Sequence, residues 1–208
     1  MQFDDLERKV RRLFGDEFDI VIEKQDIIDW TNAAQHDIAR KTNCLPMDVI
    51  HPANTFPVLI DDLYSMYRLT YGDPAFPKTF TTLEQVDSDT INFGAIPVGT
   101  PSSYYTRGRK IYLHPTPDPS DVTSVTVTYD RAPIDLVLTT NEVIDLPAIF
   151  HEDIVRFVLA RAYEKNENYE AQNMAESFYQ ENLAQRYFEA SHGDESFPFV
   201  RPDPMDWT

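Results

Sequence analysis

Cysteine occurs once, at Cys44, so no intramolecular disulfide can staple this chain. A lone cysteine without a cysteine partner is also a poor start for a metal site, and its expected place is a small buried apolar position. Glycine is scarce, with six residues in 208. Neither G-x-x-x-x-G-K-[ST] nor G-x-G-x-x-G occurs, and six scattered glycines leave little room for a phosphate cradle. No apolar run approaches the ~20 residues that span a bilayer. The opening residues Met1-Gln2-Phe3-Asp4-Asp5 are acidic rather than a signal peptide, so a soluble protein made in the cytoplasm is expected. Cations are few: 18 Lys and Arg stand against 35 Asp and Glu, a formal net charge of −17. That balance disfavours a general nucleic-acid surface and docking on anionic membranes. It suits solubility, association with a complementary partner, and a channel wall along which DNA slides without sticking.

Catalytic constellations are missing as well. His151-Glu152 begins like a zinc-protease motif, but Val155 stands where the second histidine belongs. His36, His51, His114, His151 and His192 are scattered, with no pair at ligand spacing. The adjacent acids Asp61-Asp62 and Glu152-Asp153 point apart on any regular element and make no carboxylate dyad. No catalytic, cofactor or metal site is therefore expected.

Proline is abundant, at 15 residues, and stiffens the connections. Phe3, Leu6, Val10, Leu13 and Phe14 repeat at helical spacing, with Gly15 as a stop. Arg8, Lys9, Arg11 and Arg12 on that helix read as a solvated face balanced by Asp4, Asp5 and Glu7. Phe18–Ile22 is read as extended. Asp26–Thr42 is the next helix, with Ile27, Trp30, Thr31, Ala34 and Ile38 on one stripe and Asp29, Asn32, Gln35 and Lys41 off it. Asn43 ends it and Pro46 cannot continue it. Leu45–Asn54 reads as loop, and Phe56–Ile60 and Tyr64–Tyr71 as strands. Gly72-Asp73-Pro74 reads as a turn, and Thr81-x-x-Glu84 as a capping box opening a short helix to Asp87. Tyr104–Thr106 and Lys110–His114 form a hairpin bent at Gly108, and Val122–Tyr129 alternates as a strand. Pro147 suits the first position of a helix marked by Phe150, Ile154, Phe157, Val158 and Arg161. After Asn166-Glu167-Asn168 a second helix follows, marked by Ala171, Met174, Ala175, Phe178 and Tyr179, and the short connection makes the two antiparallel neighbours.

The fold class is thus α+β. A helical bundle from residues 1–54 and 141–192 carries an inserted antiparallel β-rich domain, 55–140, and an extended tail, 193–208. Three surfaces stand out. Trp30, Ala34, Ile38 and Ala160 are candidate helix-packing positions. Arg107, Arg109 and Lys110, with Tyr104 and Tyr105 nearby, sit at the hairpin tip, where they either meet an acidic partner or a DNA backbone or merely keep a β-edge soluble. Phe197, Phe199 and Trp207, among Pro198, Pro202 and Pro204, are candidate anchors of the tail on a partner.

The segment Asp26-Ile27-Ile28-Asp29-Trp30-Thr31-Asn32-Ala33-Ala34-Gln35-His36-Asp37-Ile38-Ala39-Arg40 resembles the signature helix of tailed-phage head-to-tail adaptor (connector) proteins. Ile149-Phe150-His151-Glu152 through Ala160-Arg161-Ala162-Tyr163-Glu164 resembles that family's late helix, and Tyr169-Glu170-Ala171-Gln172 its return helix. The long β-rich middle is closer to the podophage tubular-tail adaptors than to the shorter siphophage connectors. The resemblance implies a helical bundle interrupted by a β-domain and a structural virion protein without enzymatic activity. It also implies a homo-oligomeric ring, usually dodecameric, under the portal protein at the head–tail junction. Such a ring bears a distal tail or nozzle protein below, and duplex DNA passes through its lumen without tight binding. The competing readings are a generic helical interaction scaffold and a tail-associated hydrolase. A single tetratricopeptide-like unit at Val158–Ala171 does not make an array.

Overall fold

A computed structural model describes residues 1–16, 21–72, 81–91, 97–121, 123–138 and 142–191. The fold is α+β, and the described residues form four α-helices and a seven-stranded, mostly antiparallel sheet. The chain divides into two units. One holds Met1–Leu45 and the described residues from Ala132 onward, and the other is Pro46–Arg131.

In the helical unit, α1 (Phe3–Phe14) buries Phe3, Leu6 and Val10 and ends at Gly15, whose φ of +87° is a left-handed stop that favours glycine. Leu13, expected on the same stripe, is exposed. Arg11 also departs from the solvated face read for it, being only 6% exposed. Its guanidinium donates to Glu7 Oε1 at 2.9 and 3.0 Å and to the Ile22 carbonyl at 2.9 Å. Asp16 accepts the Ile22 N–H at 2.9 Å and pairs with Arg11 at 3.5 Å. A buried cation is thereby neutralised and hydrogen-bonded, which burial requires. Of the Phe18–Ile22 segment, residues 18–20 lie outside the described residues.

α2 (Lys24–Thr42) starts two residues before the sequence reading, because Glu23 and Asp26 form a reciprocal capping box. Asn43 closes it at φ 50°. α3 (His151–Lys165) begins one turn later than Pro147, which instead precedes a 3-10 turn, Ala148–Phe150. It buries Ile154, Val155, Phe157, Val158, Leu159, Ala160 and Ala162, apolar on more than one side because α1, α2 and α4 all pack against it. α4 (Tyr169–Ser191) returns against α3 and buries Ala175, Tyr179 and Leu183. Met174 and Phe178, expected on that stripe, face solvent.

In the other unit the strands are β1 (Pro46–Pro52), β2 (Val58–Leu59), β3 (Leu63–Gly72), β4 (Thr81–Gln85), β5 (Ser103–Arg107), β6 (Lys110–His114) and β7 (Ser124–Arg131). The sheet order is β1-β7-β3-β4-β5-β6-β2, and among the described strands β4–β5 is the parallel pair. The Leu45–Asn54 loop is overturned: Pro46–Pro52 pairs with β7 over seven positions, from Pro46↔Asp130 to Pro52↔Ser124. The helix read over Leu83–Asp87 is overturned too. Leu83 pairs with Leu69 and is buried, so long-range pairing outweighs the local capping pattern. The strand read over Phe56–Ile60 shrinks to Val58–Leu59. Asp73 and Pro74 of the proposed turn, and Val122 of the proposed strand, lie outside the described residues. Leu69, Leu83, Tyr104, Ile111, Leu113, Val125, Val127 and Tyr129 form the core of this unit.

Candidate interaction surfaces

The β5–β6 hairpin presents the cations that the sequence singles out. Arg107, Gly108, Arg109 and Lys110 are all exposed, and Arg107 pairs with Lys110 across the turn. Gly108 has φ +64° while Arg109 keeps a negative φ, the pattern of a type II′ turn with glycine at its first central position. Tyr104 and Tyr105 do not join the surface. Both are buried, and Tyr105 stacks on Tyr112 with centroids 4.9 Å apart and planes 9° from parallel. The cationic tip thus stands on an aromatic base.

Beside that base lies a groove of 230 Å³ lined by Phe56, Pro57, Tyr105, Arg107, Tyr112 and Pro117, among others. Tyr105 and Pro117 are buried in its floor, Phe56 and Tyr112 are half-buried, and Pro57 and Arg107 stand exposed at its rim.

In the helical unit, Ala34, Ile38 and Ala160 have no solvent exposure. They pack inside one subunit. Trp30 is half-buried. The outward apolar face lies on α4, where Met174 is 59% and Phe178 43% exposed. These two are four residues apart and therefore stacked on one helical face. The Arg156 guanidinium lies 5.6 Å from the Phe178 ring centroid. Between α2, α3 and α4 a 340 Å³ depression is lined by His36, Asp37, Arg40, Arg161 and Glu176, among others. Its charges are of both signs, so it favours no simple anion or cation.

Two polar arrangements escape the sequence reading. Gln35, expected off the buried stripe of α2, has no exposure, and its Oε1 accepts the Asp145 N–H at 2.9 Å. Asn32 donates to the Leu136 carbonyl at 3.0 Å and accepts the Leu136 N–H at 2.8 Å. His36 Nε2 lies 2.7 Å from Asp135. These side chains bind the segment returning from β7 along α2. The second arrangement is Asp153 of α3, fully buried, with Arg186 Nε of α4 at 2.8 Å. Burial pushes the Asp153 carboxyl up, against the lowering effect of Arg186. The first arrangement ties that segment to α2, and the second ties α3 to α4.

Titratable groups elsewhere point the same way. His151 donates from Nε2 to the Leu146 carbonyl at 3.1 Å, and burial lowers its pKa, which keeps the ring neutral. Cys44 is buried and in no disulfide, in the apolar position expected of it. Among the described residues, no three or more His, Cys, Asp or Glu are grouped to hold a metal ion. No helix among them is long and apolar enough to cross a membrane. Phe197, Phe199 and Trp207 lie outside the described residues.

What this α+β chain offers is a set of surfaces: a cationic tip, an aromatic groove and an apolar helix face. That is the equipment of a protein that joins others. The family model of the SU10 adaptor protein matches residues 1–202, and the chain belongs to that family of phage head-to-tail adaptors. Membership implies a structural rather than an enzymatic role, at the head–tail junction of a virion. A comparison with curated proteins returns no match.

Proposed function

We propose that the protein is a ring-forming adaptor seated between the portal and the distal tail or nozzle protein, with duplex DNA passing through its lumen. Family membership over residues 1–202 carries this reading. Four features support the finer points. The exposed Met174/Phe178 face of α4 suits contact between neighbouring subunits, since an apolar surface gains by leaving water. The Arg107–Lys110 turn suits an acidic partner, and the long β-rich unit suits the podophage type of adaptor. The net charge of −17 suits a wall that repels phosphate and so lets DNA slide. In this reading the subunit is made in the host cytoplasm, assembles there as a ring, commonly dodecameric, and ends in the virion. The C-terminal residues Phe197, Phe199 and Trp207 serve as anchors on the portal or on a neighbouring subunit.

The test is to mix purified protein with portal and image the product by electron microscopy, with size in solution measured in parallel. Rings stacked on portal are expected. A compact monomer that leaves portal bare overturns the reading.

A further inference from the structure

The outward apolar pair of α4, Met174 and Phe178, is matched by a hollow on the other flank of the same helix. Gln180, Leu183, Ala184 and Tyr187 of α4, with Lys41 of α2, line a space of 270 Å³. Leu183 is buried in its floor, Tyr187 is half-buried, and Gln180 and Ala184 are exposed at its rim. Lys41 Nζ is held by Asp37 at 2.8 Å and lies 5.5 Å from the Tyr179 ring centroid, so the wall it supplies is chiefly its aliphatic stem. The volume falls short of the ~300–1,000 Å³ of a typical small-molecule site, yet exceeds the ~150 Å³ cavity that takes up benzene. A side chain the size of phenylalanine is the better match.

Tyr179 marks the middle of the buried stripe Ala175, Tyr179 and Leu183. At about 100° per residue, Phe178 and Met174 lie about 100° and 140° to one side of Tyr179, and Gln180 and Ala184 about 100° and 140° to the other. Knob and hollow thus flank α4 on opposite sides. A two-fold pair needs a patch that matches itself, whereas unlike patches on opposite sides make a head-to-tail contact, which yields a ring when the rotation closes. We propose that Met174 and Phe178 of one copy seat in the hollow at Leu183, Ala184 and Tyr187 of the next. This deepens, and rests on, the reading of the Met174/Phe178 face as a contact between subunits. Charge favours the same occupant. Arg156, 5.6 Å from the Phe178 ring centroid, has no carboxylate partner among the described residues, and Glu181, exposed one turn before Ala184, has no cation there. Seating Phe178 beside Ala184 brings Arg156 of one copy toward Glu181 of the next, and opposite charges across a contact fix its register. In a ring whose axis runs close to α4, neighbouring α4 helices point the same way, so Met174 faces Gln180 when Phe178 faces Ala184.

Disulfide trapping tests the pairing. Cys44→Ala removes the one cysteine, and the full-length protein then carries Met174→Cys with Gln180→Cys and is oxidised in the presence of portal. Both positions are exposed, and Phe178 and the rest of the hollow stay intact. Six residues of helix separate the two positions by about 9 Å, beyond the ~7 Å that a disulfide bridges, so any bond joins two copies. A covalent ladder reaching past the dimer is expected on non-reducing gels. Either cysteine substitution alone should leave monomer, and an equal mixture of the two single variants should stop at the dimer. Ala184→Trp, which fills the hollow, should abolish the ladder. Arg156→Glu should weaken it several-fold, and Glu181→Arg added to Arg156→Glu should restore it. Circular dichroism melts matching the parent confirm that each variant is folded. A double cysteine variant that stays monomeric overturns the pairing. So does a ladder undiminished by either Ala184→Trp or Arg156→Glu, and so do dimers of Met174→Cys alone, which would put like faces together. Rings on portal without a ladder overturn the hollow and leave the adaptor reading standing. A ladder without rings on portal does the reverse.

Discussion

Asp153 and Arg186 meet at 2.8 Å between α3 and α4, the carboxylate with no solvent exposure and the guanidinium about one quarter exposed. Removing the cation strands a buried charge. Arg186→Leu should destabilise the protein by about 1–3 kcal/mol, less than the ~3–5 of a fully buried pair because water reaches one partner. Asp153→Asn in the same chain should recover part of the loss. The pH dependence follows from the raised carboxyl. The folded carboxyl binds its proton more tightly than the unfolded one near 3.9, so its cost is relieved as pH falls through the folded value. Without Arg186 that value rises further. Urea melts of Arg186→Leu at pH 7 and pH 5 should therefore show a smaller deficit, relative to the parent, at pH 5.

Asn32 and Gln35 hold backbone groups of Leu136 and Asp145, more than a hundred residues away in sequence. Gln35→Leu keeps bulk but leaves the Asp145 N–H without that acceptor. Asn32→Ala removes both bonds to Leu136. Each should cost about 1–3 kcal/mol. Hydrogen exchange should localise the effect, with the Asp145 amide opening in the first variant and the Leu136 amide in the second.

These partners explain which parts of the structure the sequence discloses. α1 is legible over the residues it occupies because its start, apolar spacing and Gly15 stop are local. The α3–α4 hairpin is legible for the same reason. β1 is not: Pro46 and Pro52 bracket it, Asp48 and His51 interrupt its alternation, and its strand character comes from pairing with β7. β4 carries a local helix signal that the Leu69↔Leu83 pairing overrides. On α4 the strongest apolar residues, Met174 and Phe178, face outward. The buried stripe is Ala175, Tyr179 and Leu183, and Tyr179 also reaches Asp37 with its hydroxyl at 2.5 Å. The sequence pattern puts Ala175 and Tyr179 on one broad face with Met174 and Phe178, so it does not separate the buried stripe from the exposed apolar pair beside it. The cations of the hairpin tip were legible because a turn signal exposes its residues. The groove beside them was not, since it is assembled from Phe56, Tyr105, Tyr112 and Pro117 on different segments.

Tyr129 of β7 gives the β-unit an alkaline signature. Its hydroxyl donates to Asp62 at 3.1 Å, and burial, with Asp62, pushes its pKa up to about 12. The unfolded phenol ionises near 10. The stability Tyr129 contributes is therefore complete below about pH 10 and is lost as pH rises toward 12, where the unfolded chain gives up its proton first. Tyr129→Phe should lower stability at pH 8 by about 1–3 kcal/mol, the worth of a hydrogen bond to a charged group. It should also flatten the decline between pH 10 and 12. Urea melts across that range measure both.

Substitutions on the helices should separate folding from assembly. Ala34 and Ala160 are completely buried within one subunit, so Ala34→Leu or Ala160→Leu must displace packed neighbours. Overpacking of that kind costs about 1–3 kcal/mol, and both variants should melt at lower temperature. Phe178 is 43% exposed on α4, so Phe178→Glu should change subunit stability by less, within about 1 kcal/mol once the loss of its contact with Arg156 is included. If the Met174/Phe178 face joins neighbouring subunits, the same substitution places a desolvated charge in each contact of the ring. Phe178→Glu should then sediment as a folded monomer and fail to form rings on portal, while a mildly destabilised Ala34→Leu still assembles below its melting temperature. Rings of Phe178→Glu indistinguishable from the parent's would move the subunit contact to another face.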